Sequence, residues 1–206
     1  MSTKKLVFAV SLASAVALGA GVFLTSEVRA GALENPTDTA QALAQGISAV
    51  DAAALDQARA FEGQWSYIGG QKQRDGIEDA IAASMDAVSP LLRKIGTKRL
   101  RESNPVPEKI SFALDGETMT ITLAGDSHKA KLDGTPVKTV SSKGDKTKIS
   151  HKVRGSKLIQ FIDGKGGDRS NTFRLNDDGT RLYLDAKITS SHLPVPCAYR
   201  LTFKRK

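Results

Sequence analysis

Glycine-bearing turns recur at near-regular intervals through residues 109–203, and they limit what this chain can fold into more than any other feature. Each turn supplies residues that tolerate a positive φ angle, which tight β-hairpins and bulged loops require. A spacing of roughly ten residues between turns is typical of a sandwich or a barrel of short strands. The turns include Asp115-Gly116, Gly125-Asp126, Asp133-Gly134, Gly144-Asp145 and Asp178-Gly179.

Between these turns, apolar and polar side chains alternate. Met119, Ile121 and Leu123 alternate with threonines, which puts one apolar and one polar face on the segment. This pattern predicts a mainly β fold in which antiparallel strands cover one interior. The predicted strands cover residues 64–68, 108–114, 118–124, 128–132, 136–141, 146–154, 157–163, 168–175, 181–189 and 197–204.

A helical insertion, residues 71–103, separates the first two predicted strands. Asp75 with Glu78 resembles a capping box and predicts the start of its first helix. Ser89 followed by Pro90 predicts the start of its second helix, because proline suits the first helical position. The sequence therefore predicts a helix-turn-helix after the first strand.

Residues 1–30 have the pattern of a secretory signal peptide. Lys4 and Lys5 precede an apolar stretch, and small residues near Ala30 suit cleavage. The alternative is an uncleaved membrane anchor, since the apolar stretch approaches the length that spans a bilayer. Cleavage predicts an exported protein, periplasmic or secreted.

Residues 31–62 are predicted to form an N-terminal helical segment, ahead of a barrel domain at 63–206. A helix from Asn35 to about Phe61 would carry an apolar stripe that packs against the barrel, for example through Ala58. The alternative is a partly mobile arm, because Gly46 and many alanines weaken this face.

The order of elements, one strand, two helices and then nine strands, carries a family resemblance. The first strand contains Gly63-Gln64-Trp65, and the chain closes with Leu201-Thr202-Phe203-Lys204-Arg205. Over residues 64–205 these features resemble the fatty-acid-binding-protein and lipocalin (calycin) group of proteins. The resemblance implies an antiparallel up-and-down β-barrel of about ten strands that encloses a small molecule.

The last strand departs from that family. Its members commonly present an inward Arg and, two residues later, an inward Tyr that hold a ligand carboxylate. Leu201 and Phe203 stand at those positions here, and Arg200 has the outward phase. The expected ligand is therefore any apolar or amphipathic, lipid-like molecule.

The strand phases place four side chains in the predicted interior as candidate ligand contacts. They are His128, His151, Tyr199 and Trp65. An inward His or Tyr can hydrogen-bond a polar head group inside an apolar pocket. The alternative is that these residues are satisfied core groups or lie at strand ends.

Lys94, Lys98 and Arg101 share one face of the second inserted helix and are candidates for contact with an anionic membrane or a partner. The alternative is an ordinary solvated face. The formal net charge of +8 fits either interpretation. Export argues against nucleic acid as a partner. Cys197 lies in the last predicted strand and is expected to be buried.

No residue cluster predicts a reaction, a cofactor or a metal site. The glycine-rich loop 164–167 lies between two strands and lacks the helix that a phosphate loop needs. Catalysis would need His151 within hydrogen-bond reach of a carboxylate or of Tyr199. The sequence therefore predicts no enzyme.

Two other functions remain. One is an exported protein that encloses an apolar or amphipathic small molecule, and the other is an envelope interaction protein with a filled barrel. Bulky side chains that meet in the centre would favour the second. The candidates are Phe112, Met119, Phe161, Phe173 and Phe203.

Overall fold

The structure is a computed structural model that describes residues 50–141 and 144–206. The predicted signal peptide, the alternative membrane anchor and positions 35–49 of the predicted N-terminal helix lie outside the described residues. The described elements are α1 (Ala52–Arg59), β1 (Gly63–Tyr67), α2 (Gly70–Asp86), α3 (Pro90–Ser103), β2 (Lys109–Asp115), β3 (Thr118–Leu123), β4 (Asp126–Lys131), β5 (Val137–Val140), β6 (Lys146–Arg154), β7 (Lys157–Gly164), β8 (Gly167–Leu175), β9 (Arg181–Thr189) and β10 (Cys197–Arg205).

The ten strands form one antiparallel sheet in the order β4-β3-β2-β1-β10-β9-β8-β7-β6-β5. Pairing of β1 with β10 joins the two ends of the meander, so the sheet curls into a nearly closed barrel. Along the seam between β4 and β5, Asp133 forms a bridge with Lys152, and Gly134 N donates to His151 O at 2.9 Å. The predicted mainly β fold, with its helix-turn-helix after the first strand, is confirmed.

The barrel has two distinct ends. We call the end where β1 begins and β10 finishes the lower end, and the opposite end the upper end. α1 lies at the lower end, where Ala58 and Phe61 are buried in the same core as the strand side chains. α2 and α3 follow β1 at the upper end and form its helical cover.

α1 begins later than the sequence predicted. Asp51 has an extended backbone and its carboxylate accepts from Ala53 N at 3.2 Å, so it caps a helix that starts at Ala52. The predicted continuous helix from Asn35 to Phe61 is therefore wrong at Asp51. The physical reason is that aspartate favours the N-cap over the helix interior.

α2 begins earlier than predicted, at Gly70 instead of Asp75. The Asp75 carboxylate accepts from Gln71 one turn back at 2.8 Å and does not cap the helix. α2 lies along the upper part of β10, which β1 is too short to reach. There Gln73 donates to Thr202 Oγ1 and accepts from Thr202 N, both at 2.8 Å.

The barrel interior holds large apolar side chains. The Phe112 and Phe173 rings meet edge to face with centroids 5.0 Å apart, and the Phe61 ring lies 6.0 Å from Phe112. Phe161, one of the bulky side chains considered for a filled barrel, lies on the outer wall with 41% of its surface exposed. The side chain of its neighbour Gln160 faces the interior instead. We call Phe61, Trp65, Phe112 and Phe173 the aromatic cluster.

Candidate functional site: an interior polar network

A chain of hydrogen-bonded polar side chains runs along the inner face of three neighbouring strands, β6, β7 and β8. His151 lies fully buried on β6, where its Nδ1 is 3.1 Å from Met119 O and its Nε2 is 3.3 Å from Gln160 Nε2. Asn171 Nδ2 donates to Gln160 Oε1 at 2.8 Å, which leaves the Gln160 amide nitrogen to donate to His151. His151 is therefore neutral, with its proton on Nδ1.

Burial lowers the pKa of His151 to about 4, against the raising effect of its bond to Met119 O. Because the neutral ring satisfies both of its nitrogens, the interior accommodates it without charge. His151 thus acts as a hydrogen-bonding group in this barrel at neutral pH.

The chain ends at Arg169, close to the upper end of the barrel. Arg169 Nε donates to Asn171 Oδ1 at 2.8 Å. Its two terminal nitrogens donate to Asn104 Oδ1 at 2.9 Å and to the Tyr199 hydroxyl at 3.1 Å. Tyr199 in turn donates to Asn104 Oδ1 at 3.1 Å. We call Asn104, His151, Gln160, Arg169, Asn171 and Tyr199 the interior polar network.

Arg169 is a half-buried cation whose acceptors are neutral oxygens. Amide oxygens, the Tyr199 phenol and, more distantly, Ser103 O at 3.5 Å accept from it. The ion pairs within 50–141 and 144–206 do not include it. A cation withdrawn from water without a counter-ion attracts an anion strongly.

The backbone explains how Arg169 comes to point inward. Alternation along β8 gives the same phase to Arg169, Asn171 and Phe173, and the last two are fully buried. The strand begins at Gly167, with φ of +146°, where an added Cβ would lie 2.5 Å from Thr189 O. Glycine therefore permits β8 and the end of β9 to approach closely beside this cation.

Two further polar atoms in this interior lack partners among the described residues. His128 is 8% exposed and its Nδ1 forms no hydrogen bond, and the same holds for the buried Thr147 Oγ1. Burial lowers the pKa of His128, while Asp126 raises it and Arg169 lowers it. The interior thus carries unused hydrogen-bonding capacity as well as an uncompensated charge.

The four candidate interior residues are all buried, and three of them are polar groups near the network. His151 and Tyr199 belong to it, and His128 lies within electrostatic range of Arg169. Trp65 lies at the lower end, where its Nε1 donates to Phe61 O at 2.9 Å and the Arg205 guanidinium stacks 4.3 Å from its ring. A ligand-binding role for these residues stays a prediction.

Sequence reasoning missed four members of the network. They are Asn104, Gln160, Arg169 and Asn171. One sequence signal for Arg169 was available. It lies four residues before Phe173 on the same strand, so alternation puts both side chains on the inward face. Leu201 and Phe203 are buried as expected, so the interior cation comes from β8 instead of the last strand.

The candidate surface residues lie on α3, whose outward side carries exposed apolar groups. Leu91 is 86% exposed, Leu92 56% and Ile95 55%, and Lys94 and Lys98 lie among them. We call these five residues the α3 outer face. Arg101 does not belong to it, because its guanidinium forms an ion pair with Glu78 on α2 at 2.6 Å.

Two open depressions lie on the outer wall of the barrel. One, of about 530 Å³, is lined by outward side chains of β8, β9 and β10 such as Thr172, Lys187 and Arg200. The other, of about 420 Å³, lies beside α2. Both are open to solvent, unlike the sites that usually enclose small apolar molecules.

His151 contacts a backbone carbonyl and Gln160, so it lacks the carboxylate or Tyr199 contact that the enzyme hypothesis requires. Among residues 50–141 and 144–206, no three His, Cys, Asp or Glu side chains are grouped as metal ligands would be. The described helices are all too short or too polar to cross a bilayer. Cys197 is fully buried, as expected.

Comparison with known proteins gives structural likeness alone. No family model and no curated protein matches the sequence. Apo lipid binding protein 8 of Caenorhabditis elegans is 16% identical, with 72% of this chain and 96% of that chain covered and a TM-score of 0.46.

Two further solved structures have similar sequence identities, coverages and TM-scores. A secretory abundant heat soluble protein of Ramazzottius varieornatus is 12% identical, with 71% of this chain and 96% of that chain covered and a TM-score of 0.45. A fatty-acid-binding protein from Drosophila melanogaster brain is 19% identical, with 70% and 98% covered and a TM-score of 0.41.

Proposed function

We propose that the chain is an exported, non-enzymatic binding protein for an amphipathic anion, with the head group held by Arg169. The observation that carries this proposal is the interior cation whose acceptors are all neutral. A carboxylate, sulfonate or phosphate oxygen would supply the missing counter-charge and form charge-assisted hydrogen bonds there.

The surrounding side chains suit the rest of such a ligand. Tyr199 offers a hydroxyl beside the cation, and burial raises the pKa of that hydroxyl, so it remains a donor at neutral pH. His128 Nδ1 offers an unused hydrogen-bonding atom in the same interior. The undersides of α2 and α3 are apolar, through Ile81, Met85 and Leu100, and would contact a hydrocarbon portion.

The aromatic cluster restricts where the ligand can lie. Because the lower end is filled by large side chains, the apolar portion would lie between the helical cover and the strands. The ligand would therefore be shallow in the barrel and enclosed by α2 and α3.

The test uses two fluorescent probes and one pair of variants. Anilinonaphthalene sulfonate is anionic and Nile red is uncharged, so together they separate charge recognition from apolar contact. We expect Arg169→Gln to weaken binding of the anionic probe about tenfold or more, because charge-assisted hydrogen bonds are lost. The same substitution should change Nile red binding little. Arg154→Gln, an exposed arginine at the end of β6, is the matched control.

Mass spectrometry of organic extracts of the gently purified protein would then identify the natural ligand. An enriched anionic lipid-like compound supports the proposal. Absence of any enriched compound, together with no binding of either probe by the unmodified protein, would reject it.

A second candidate function rests on the α3 outer face. Three exposed apolar side chains beside Lys94 and Lys98 suit contact with an anionic membrane surface, where apolar burial and charge act together. In this candidate the filled barrel is a scaffold in the cell envelope. Arg101 would contribute less, since Glu78 already pairs with it.

Vesicle flotation tests this candidate. The protein should float with vesicles that contain phosphatidylglycerol and not with phosphatidylcholine alone. Leu91→Ser combined with Ile95→Ser should abolish flotation, whereas Val195→Ser, an exposed apolar residue before β10, should not. Equal flotation of both variants would reject the α3 outer face.

Export forms part of the proposal and rests on the pattern of residues 1–30. N-terminal sequencing of the protein from a periplasmic or secreted fraction should begin at Gly31. A protein that still carries the apolar stretch would support the anchor alternative.

A further inference from the structure

Asn104 connects the helical cover to the interior cation. We propose that Asn104 is an internal latch: its amide oxygen occupies the position of an anion at Arg169, and an anionic head group displaces it and frees the end of α3. This inference rests on the proposed function, because it states what the bound anion does to the cover.

The first support is the geometry of Asn104 itself. It is 4% exposed and follows α3 as a non-helical C-cap. Its Oδ1 accepts from both Arg169 and Tyr199, at 2.9 and 3.1 Å. One neutral oxygen thus uses the two donors that a carboxylate oxygen would need.

The second support is the other side of the same amide. Asn104 Nδ2 donates to Leu100 O at 2.8 Å and to Ser103 Oγ at 3.1 Å, so it satisfies a carbonyl in the last turn of α3. One side chain therefore caps the helix and ties it to the barrel. If the amide moves, the last turn loses both stabilising contacts.

The third support is how few contacts tie this end of α3 to the barrel strands. Leu100 is its one buried residue within the helix, and the remaining bond from Arg169 reaches Ser103 O at a long 3.5 Å. The ion pair between Arg101 and Glu78 joins this end to α2 and not to a strand. The other end stays attached to α2, since Arg93 donates to Asp86 O at 3.1 Å. Release at Asn104 would therefore open the cover at the cation and leave its opposite end in place.

A charged oxygen competes well for this position. An anion adds the Coulomb attraction of opposite charges to its hydrogen bonds with a guanidinium, which a neutral amide oxygen does not. Displacement of Asn104 by the head group is then favourable, while the lost contacts of α3 are few and weak. Binding and opening are thereby coupled in both directions.

Hydrogen exchange of the full chain, read by mass spectrometry, measures the latch directly. Addition of anilinonaphthalene sulfonate should increase exchange in residues 97–103 about tenfold and should protect β8 and β10. Asn104→Ala should give the same fast exchange at 97–103 without probe, and it should bind the probe about threefold more tightly, because no competitor remains. Arg99→Gln, an exposed residue of α3 outside the α3 outer face, is the control and should change neither.

Two more variants keep the test informative if Asn104→Ala disturbs the helix. Asn104→Asp places a carboxylate against Arg169, so it should weaken binding of the probe about tenfold, although it also removes the Nδ2 donor to Leu100 O. Tyr199→Phe removes one of the two donors and should speed exchange modestly while the fold stays intact.

The outcomes separate this inference from the proposed function. Failure of the unmodified protein to bind the probe overturns both. Probe binding with unchanged exchange at 97–103, or Asn104→Asp with unweakened binding, overturns the latch and leaves the anion site standing.

Discussion

The aromatic cluster and the interior polar network share one barrel but differ in how completely their groups are satisfied. In the cluster, rings fill the lower end, and Trp65 Nε1 has its acceptor in Phe61 O. In the network, none of the described ion pairs includes Arg169, and the nearby His128 Nδ1 has no partner among the described residues. Close packing supplies stability, whereas unused polar capacity is the feature on which the proposed ligand binding rests. The two regions should therefore respond differently to substitution.

The largest effect is expected from the aromatic cluster. Phe112→Ala removes a ring that contacts both Phe61 and Phe173, and it should lower the free energy of unfolding by about 3–5 kcal/mol. Urea unfolding measures the loss. Phe161→Ala, on the outer wall, is the control and should cost about 1 kcal/mol or less. A similar loss for both would mean that the rings at the lower end do not carry the stability.

The network should make stability depend on pH. His151 has a pKa of about 4 in the fold, against 6.5 for an unperturbed histidine. Between these values only the unfolded chain is protonated there, so stability should fall as the pH drops from 6.5 to 4, by about 3 kcal/mol at most. The groups that act on the ring are Met119 O, the Ala130 backbone, Gln160 and His128.

Urea unfolding at pH 7 and pH 5 measures this slope. His151→Gln should flatten it, and His128, whose pKa is also lowered, accounts for the part that remains. Val195→Ser, which changes no ionisable group in the loop before β10, should leave the slope unchanged. An unchanged slope in His151→Gln would contradict the buried neutral ring.

Arg205 tests how the lower end is closed. Its guanidinium lies over the Trp65 ring and donates to Ala60 O and Glu62 O, at 2.5 and 2.7 Å. Arg205→Ala should lower the free energy of unfolding by about 1–2 kcal/mol and speed hydrogen exchange in α1. Lys204→Ala, the exposed neighbour, should do neither. If both substitutions lowered the free energy of unfolding equally, the loss would come from removal of a positive charge and not from the contacts of Arg205.

The smallest change in stability is expected from Tyr199→Phe. The ring remains, and the loss of its hydroxyl should cost about 0.5–1 kcal/mol. Binding of the anionic probe should nevertheless weaken about threefold, because one donor at the cation is gone. Tyr183→Phe, on the outer side of β9, is the control for both measurements. A large loss of stability without a change in binding would make Tyr199 a core residue only.

The strands were predictable because their signals are local. Alternating side chains fix which residues face inward, and glycine-bearing turns fix where each strand ends. All ten predicted strands agree with the structure within two residues at each end. The inward phases of His151 and Tyr199 follow from the same rule.

The network was less predictable because it depends on neighbours across strands. Gln160 and Phe161 are adjacent, and hydrophobicity alone favours the phenylalanine for the interior. The opposite holds because Gln160 meets Asn171 and His151, which strand pairing brings beside it. A single sequence does not display this register, so Gln160 and Arg169 were missed. The starts of α1 and α2 were missed because several residues in each stretch suit a helix terminus.

The ladder between β1 and β10 also sets the order in which the chain can fold. Among the described ladders it is the one that joins strands not consecutive in sequence, and it pairs Trp65 with Arg205. The ladders from β2 to β10 close short loops and form quickly, and the ladder between β1 and β2 closes the helical insertion, whereas this one must close nearly the whole domain. During synthesis the meander can therefore assemble as an open sheet, with β1 unpaired on one side until residues 197–205 are available. Closure of the barrel would then be the late and rate-limiting step.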